Sequence, residues 1–374
     1  MAGLPIVVEE ASALHRGLRF SRAVAVVLLV VMLPYAVTSF RLAQVTSACI
    51  LAIAVVGLNV LAGFGGQISL GHAAFFGLGA YTTGILISKS SMPPLLAFVC
   101  GILLSFVVGV IVGTPALRLQ GTYLALVTLA VGVIFPTLVR RFESLTQGSA
   151  GLYGLTYDPP GGAYFTGRAG QGLWMYWITV VGLGLSCLVV WNLMRSRTGR
   201  AIIALRDNEA AAIVMGVNRT VVRTLLFGVS AGIAGLAGGI YAVNTGIITP
   251  DSFSLLLTIN LLVAMVLGGS ASFWGPVFGG LAIYYVPKWT ADVAGGPISG
   301  VLFGAVIILF VFTMRSGLVG LLNRLSEKVL LVRPRPPVGV AVRERDVLLP
   351  AVDVDPETGT ALADSGRPPQ AVGS

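Results

Sequence analysis

The chain has 374 residues, of which 56% are hydrophobic and only 10% charged, and its formal net charge is +9. Soluble domains carry roughly 25% charged residues, so a water-exposed globule of this size is excluded and a membrane protein is expected. Cys49, Cys100 and Cys187 are too few and too scattered for a disulfide framework or a metal site.

A short basic arm, residues 1–22, comes first. Long stretches without Asp, Glu, Lys or Arg follow: Ala23 to Phe40, Leu42 to Ser88, Ser90 to Leu117, Leu119 to Val139, Ala169 to Met194, Thr224 to Pro250, Ser252 to Pro287 and Val293 to Met314. About 20 apolar residues in a helix cross a bilayer. Spans are therefore predicted near 23–39, 43–62, 67–88, 94–113, 121–139, 172–193, 224–245, 255–273, 275–287 and 298–314. The segment 275–287 is too short to cross alone. The expected fold is an all-α, polytopic transmembrane helical bundle of eight to ten spans. The first apolar run exceeds a signal-peptide core and lacks a small-x-small cleavage site, so it reads as a retained anchor.

Basic residues gather on one side of this scheme. With the N-terminus cytoplasmic, inside segments hold 18 of the 24 Lys and Arg, which the positive-inside rule favours. Both termini are then expected in the cytoplasm, and the net charge reads as a topology and lipid signal, not a nucleic-acid one. The bundle domain runs from 23 to 330, with an external loop at 140–171 and a cytoplasmic loop at 195–223. From 331 to 374 the chain turns to Pro, Gly, Asp and Arg and reads as a disordered cytoplasmic tail.

One stretch departs from ordinary lipid-soluble helix. GFGGQISLGHAAFFGLGAY, residues 63–81, is dense in glycine and contains Gln67 and His72. Glycine weakens a helix by about 1 kcal/mol relative to alanine. The span is expected to break at Gly63–Gly66, and broken backbone at membrane depth must line a cavity or lie within protein. Gln67 and Ser69 are thus candidate pathway residues, with Asn59, His72 and Tyr81. For Asn59, His72 and Asn260 a plain hydrogen bond to a neighbouring helix is the competing reading.

Absences narrow the chemistry. The sequence has no GxxxxGK[ST] phosphate cradle, no nucleophile–base pair, no carboxylate deep in a span and no expected cofactor. A facilitative channel stays open as a reading, because backbone groups can line a pore without charges.

The cytoplasmic loop RSRTGRAIIALRDNEAAAIVMGVNRTVVR carries the clearest local signals. Asp207 can cap a short helix, Asn208 to Met215, with Glu209 near its positive end. Gly216 can end it in a left-handed conformation, and Asn218 can cap the next span. Its small apolar surface, Ala210 to Met215, reads either as a lipid-lying helix or as a docking knob for another protein.

RDNEAAAIVMGVN followed by LLFGVSAGIAGLAGGIYA resembles the coupling region of permeases in the branched-chain amino-acid ABC-importer family, LivM type. GLNVLAGFGGQISLGHAAFFGLGAY, PALRLQGTYLALVTLA, TQGSAGLYGL and LVAMVLGGSASFWGPVFGG resemble further family segments in the family's order. The permease pattern of two alanines, three residues and a glycine falls on Ala211, Ala212 and Gly216. The pattern's glutamate stands one position early, at Glu209. The resemblance implies an ABC-importer permease in the inner membrane. Its coupling residues would be Arg206, Asp207, Asn208, Glu209, Ala211, Ala212 and Gly216. Implied partners are a second permease (homologous or identical), two ABC ATPase subunits and an extracytoplasmic solute-binding protein, within membrane lipid. Relatives of this family also carry urea and short amides, which leaves a urea or amide importer as an alternative.

Overall fold

The structure, a computed structural model, describes residues 6–9, 24, 27–90, 92–116, 122–155, 167–295, 298–313, 317–321 and 330–333. The chain divides into two compact units. In the smaller, strands β1 (Ile6–Glu9) and β4 (Leu330–Arg333) pair in parallel, Ile6 opposite Leu330. The predicted unstructured tail therefore begins one residue inside a strand, and the rest of it lies outside the described residues.

The larger unit, Arg19–Val329, is helical. It begins with α1 (Val27–Ala36) and α2 (Ser39–Leu58), then α3 (His72–Ser90), α4 (Pro94–Ala116) and α5 (Thr122–Arg141). A short α6 (Glu143–Thr146) precedes α7 (Gly167–Arg195), α8 (Arg197–Asp207), α9 (Glu209–Val214) and α10 (Arg219–Thr245). The last described helices are α11 (Leu255–Gly268), α12 (Gly275–Ala294) and α13 (Ile298–Thr313). Among the described residues, five helical stretches are long and apolar enough to cross a membrane: Ser39–Phe64, Pro94–Thr114, Tyr123–Arg141, Gly170–Arg195 and Arg219–Thr245.

The segment judged too short at 275–287 is a correction. Gly275–Ala294 forms one helix of 20 residues that passes through Pro287, long enough to cross at 1.5 Å per residue. Lys288 ended the apolar run in the sequence, yet its ammonium lies over the Phe40 ring at 5.1 Å, a contact that keeps a charge at a helix flank.

Helix α10 is at the centre, packed against α3, α4 and α2. Lipid offers no hydrophobic drive for helix pairing, so small residues that allow close approach do the work. At the α3–α10 crossing a methyl on Gly79 would run into the Gly235 backbone, and one on Gly238 into the Phe76 carbonyl. Against α4, Gly228 takes the Phe106 ring. Hydroxyls tie the same elements: Ser230 Oγ donates to Gly57 O at 2.7 Å and Ser105 Oγ to Phe75 O at 3.3 Å. At one end of the bundle β2 (Leu152–Tyr153) pairs antiparallel with β3 (Ile247–Ile248), and Arg140 pairs with Asp251. Part of the predicted external loop, 156–166, lies outside the described residues.

Candidate functional site

Helix α2 does not stop cleanly. It widens into a π-turn over Asn59–Phe64, where Gly65 N–H reaches back five residues to Val60 O at 3.1 Å. Gly66 then takes φ +65°, a conformation that costs a side-chain-bearing residue about 1 kcal/mol or more. Helix resumes only at His72. The break thus runs from Gly65 to Gly71, longer than the Gly63–Gly66 expected, and Gln67 and Ser69 sit on unwound backbone instead of in a helix.

His72 fixes how deep this strand goes. Its imidazole is buried, with Nε2 3.1 Å from Ala54 O. A carbonyl only accepts, so Nε2 carries the proton. Ala54 lies ten residues before the end of the π-turn, so α3 starts about 15 Å back along α2 at 1.5 Å per residue. The strand Gly65–Gly71 is therefore a re-entrant piece that brings a helix N-terminus inside the bundle. Two hydroxyls from distant helices hold it there. Leu70 N–H donates to Thr128 Oγ1 of α5 at 2.9 Å, and Ala73 N–H to Thr258 Oγ1 of α11 at 3.0 Å. Neither threonine was singled out from the sequence, where mid-span hydroxyls ordinarily bond their own helix.

The five pathway candidates separate by their partners. Asn59 is engaged at both ends of its amide: its Nδ2 donates to Ser272 O at 2.9 Å, and its Oδ1 accepts from Ala271 N–H at 3.0 Å. That pins the turn between α11 and α12, where Ala271 takes φ +56°. Gln67 and Ser69 are buried, and neither end of the Gln67 amide nor the Ser69 hydroxyl meets a hydrogen-bond partner. A buried polar group left without a partner costs about 1–3 kcal/mol. The Tyr81 hydroxyl is also unpartnered. Tyr81 lines an apolar cleft of about 520 Å³ between α3, α4 and α5, alongside Phe75 and Phe135. It further belongs to a cluster of rings with Phe135 and Phe253, at 6.3 and 5.7 Å. Asn260, by contrast, sits half-buried on α11.

The loop between α7 and α10 folds into two helices, not one. Asp207 ends α8 and pairs with Arg206 at 3.0 Å. The cap of α9 is its neighbour Asn208, whose side chain accepts from Ala211 N–H at 3.0 Å. This corrects the assignment to Asp207: an α8 that continues through 207 leaves only Asn208 with the extended backbone a cap requires. Helix α9 is also shorter than expected, Glu209–Val214, about 9 Å long. Gly216, at φ +87°, ends the turn, and Asn218 caps α10 through Val221 N–H at 3.2 Å, both as expected.

Glu209 turns toward α10 and is half-buried there. Its carboxylate meets Arg219 at 2.8 Å and Arg223 at 2.9 Å, which staples α9 to the first turns of α10. The hydrogen bond from Arg219 is the largest effect on this carboxyl; burial opposes it, and the charges and hydrogen bond of Arg223 and Arg219 together keep it below the usual carboxylate range. Ala212 is 4% exposed and packs inward too, so the apolar surface is not the whole run from Ala210. Ala211 faces out, and Val214 and Met215 are 86% and 84% exposed.

A family model described as "Branched-chain amino acid transport system / permease component" matches residues 41–311, which contain both the re-entrant strand and this loop. The chain belongs to that family. It is the permease subunit of an ABC importer, a multi-pass membrane protein and not an enzyme. Among its relatives is the high-affinity branched-chain amino acid transport system permease protein LivM of Escherichia coli, 28% identical over 79% of this chain and 73% of the relative. The permease BraD of Pseudomonas aeruginosa is 25% identical over 72% of this chain and 91% of BraD. LsrC of Salmonella paratyphi B, an autoinducer 2 import system permease, is 32% identical over 34% of this chain and 40% of LsrC. No solved structure matches. As a permease component, the chain works alongside the other subunits of its transport system.

Proposed function

We propose that this permease translocates branched-chain or other hydrophobic amino acids, received from an extracytoplasmic solute-binding protein, across the inner membrane. It pairs with a second permease subunit, homologous or identical, and two ABC ATPase subunits engage the loop around α9. Both termini face the cytoplasm. Gln67, Ser69 and Tyr81 lie on the solute route, while Asn59 and His72 hold that route in shape. Unwound backbone and a helix N-terminus can bind the charged groups of a zwitterion without a permanent protein charge. The observation that carries the reading is the α9 knob. Val214 and Met215 are almost fully exposed on a loop that Glu209, Asn208 and Asn218 hold in one geometry. Apolar exposure of this kind marks a contact with a partner.

The test is a pull-down. Val214→Asp with Met215→Asp should abolish co-purification of the ATPase while the chain still inserts in the membrane. Undiminished co-purification would refute the docking assignment.

A further inference from the structure

We propose that Arg206 is the positioning residue that links the α9 knob to the re-entrant strand, so that engagement of the ATPase opens and shuts the strand at Gly66. The inference rests on the importer reading above.

Arg206 lies three residues before α9, and its side chain leaves the docking loop to reach the break in α2. Its aliphatic stem packs on Gly66, where an added methyl would stand 2.9 Å from Arg206 Cγ. Its Nη1 lies 3.5 Å from the Gly63 carbonyl, among the acceptors freed where α2 unwinds. Nε and Nη2 both lie 3.0 Å from Asp207 Oδ1. The guanidinium thus stands between a carboxylate of the loop and a carbonyl of the break.

A push on α9 has two routes into the bundle. One runs through Glu209 into α10, which meets α3 backbone to backbone at Gly79 and Gly235 and has little room to give. The other runs through Arg206 into a stretch that is not helical from Gly66 to Gly71, is tied only by Gln67 N–H to Leu61 O, Leu70 N–H to Thr128 Oγ1 and the Gly71 carbonyl to Ala74 N–H, and has a positive φ at its hinge. That strand also holds the buried Gln67 amide and Ser69 hydroxyl without a protein hydrogen-bond partner, so a shift that brings them one is favoured. The second route is the compliant one.

The test uses the purified complex with its ATPase, with Cys49, Cys100 and Cys187 replaced by Ala and Ser69→Cys as reporter. A water-soluble maleimide reads the rate of thiol labelling with and without ATP. With Arg206 present, ATP should change the rate at least tenfold. Arg206→Ala, which removes stem and charge, and Arg206→Met, which keeps a stem, should each reduce that ATP-dependent change threefold or more with the ATPase still bound. A smaller reduction in a folded, ATPase-bound variant overturns the proposal. Loss of the ATPase from both variants overturns it as well, since Arg206 would then belong to the docking contact. If the Arg206 protein itself neither retains an ATPase nor responds to ATP, the importer reading fails and takes this inference with it.

Discussion

Replacing Asn59 by Leu separates a structural pin from a pathway contact. The amide is buried, donates to Ser272 O and accepts from Ala271 N–H, at 2.9 and 3.0 Å. Leucine is of similar bulk but leaves both backbone groups without a partner. At about 1–3 kcal/mol for each of the two buried orphans, the loss should come to roughly 2–6 kcal/mol. Ala271 would also lose the contact that holds it at φ +56°. In a chain of this size the apparent melting temperature in detergent should fall by about 5 °C. Asn59→Asp is the informative partner variant. It keeps an acceptor for Ala271 N–H but, ionised, sets a carboxylate against the Ser272 carbonyl. Protonated, it can donate as the amide does, so its stability should recover as pH falls. The assay is fluorescence-detected size-exclusion after heating, with solute uptake measured in parallel. If Asn59→Leu melts with the parent yet loses uptake, Asn59 contacts solute and the pin argument is wrong.

Glu209→Gln removes both charge pairs to Arg219 and Arg223. Because the folded carboxyl titrates below its ordinary range, its contribution is complete above that range and vanishes as pH falls through the lowered value. Parent and variant should therefore differ in melting temperature at neutral pH and converge in acid; a constant gap would contradict the staple. Gly79→Val forces a side chain into the Gly235 backbone, an overpacking that costs about 1–3 kcal/mol or more, about five-fold or greater in the folded population. The yield of monodisperse protein should drop, and an unchanged profile would show that α3 and α10 can separate.

How far the sequence spoke depended on how local the cause was. Charge-free stretches foretold the helices because span length needs only the residues within it. Asn218 and Gly216 were legible for the same reason, since a cap acts within one turn. Asp207 and Asn208 are neighbours of equal capping ability, and only the length of α8 decides between them. The glycines announced that a break exists but not where it ends. Its end is set by Thr128 and Thr258, which lie 58 and 185 residues beyond their partners Leu70 and Ala73. The role of Asn59 was hidden by the same distance, as its partners come 212 and 213 residues later. The inward turn of Glu209 waited on Arg219 and Arg223, which only the folded loop brings beside it. What remained unreadable was long-range: which polar group in the bundle is matched, and by whom.

The most direct measurement is leucine uptake into liposomes that contain this permease, first alone and then with its ATPase, second permease and binding protein. The account predicts accumulation only in the complete assembly with ATP. Equal uptake by the isolated chain without ATP would contradict it.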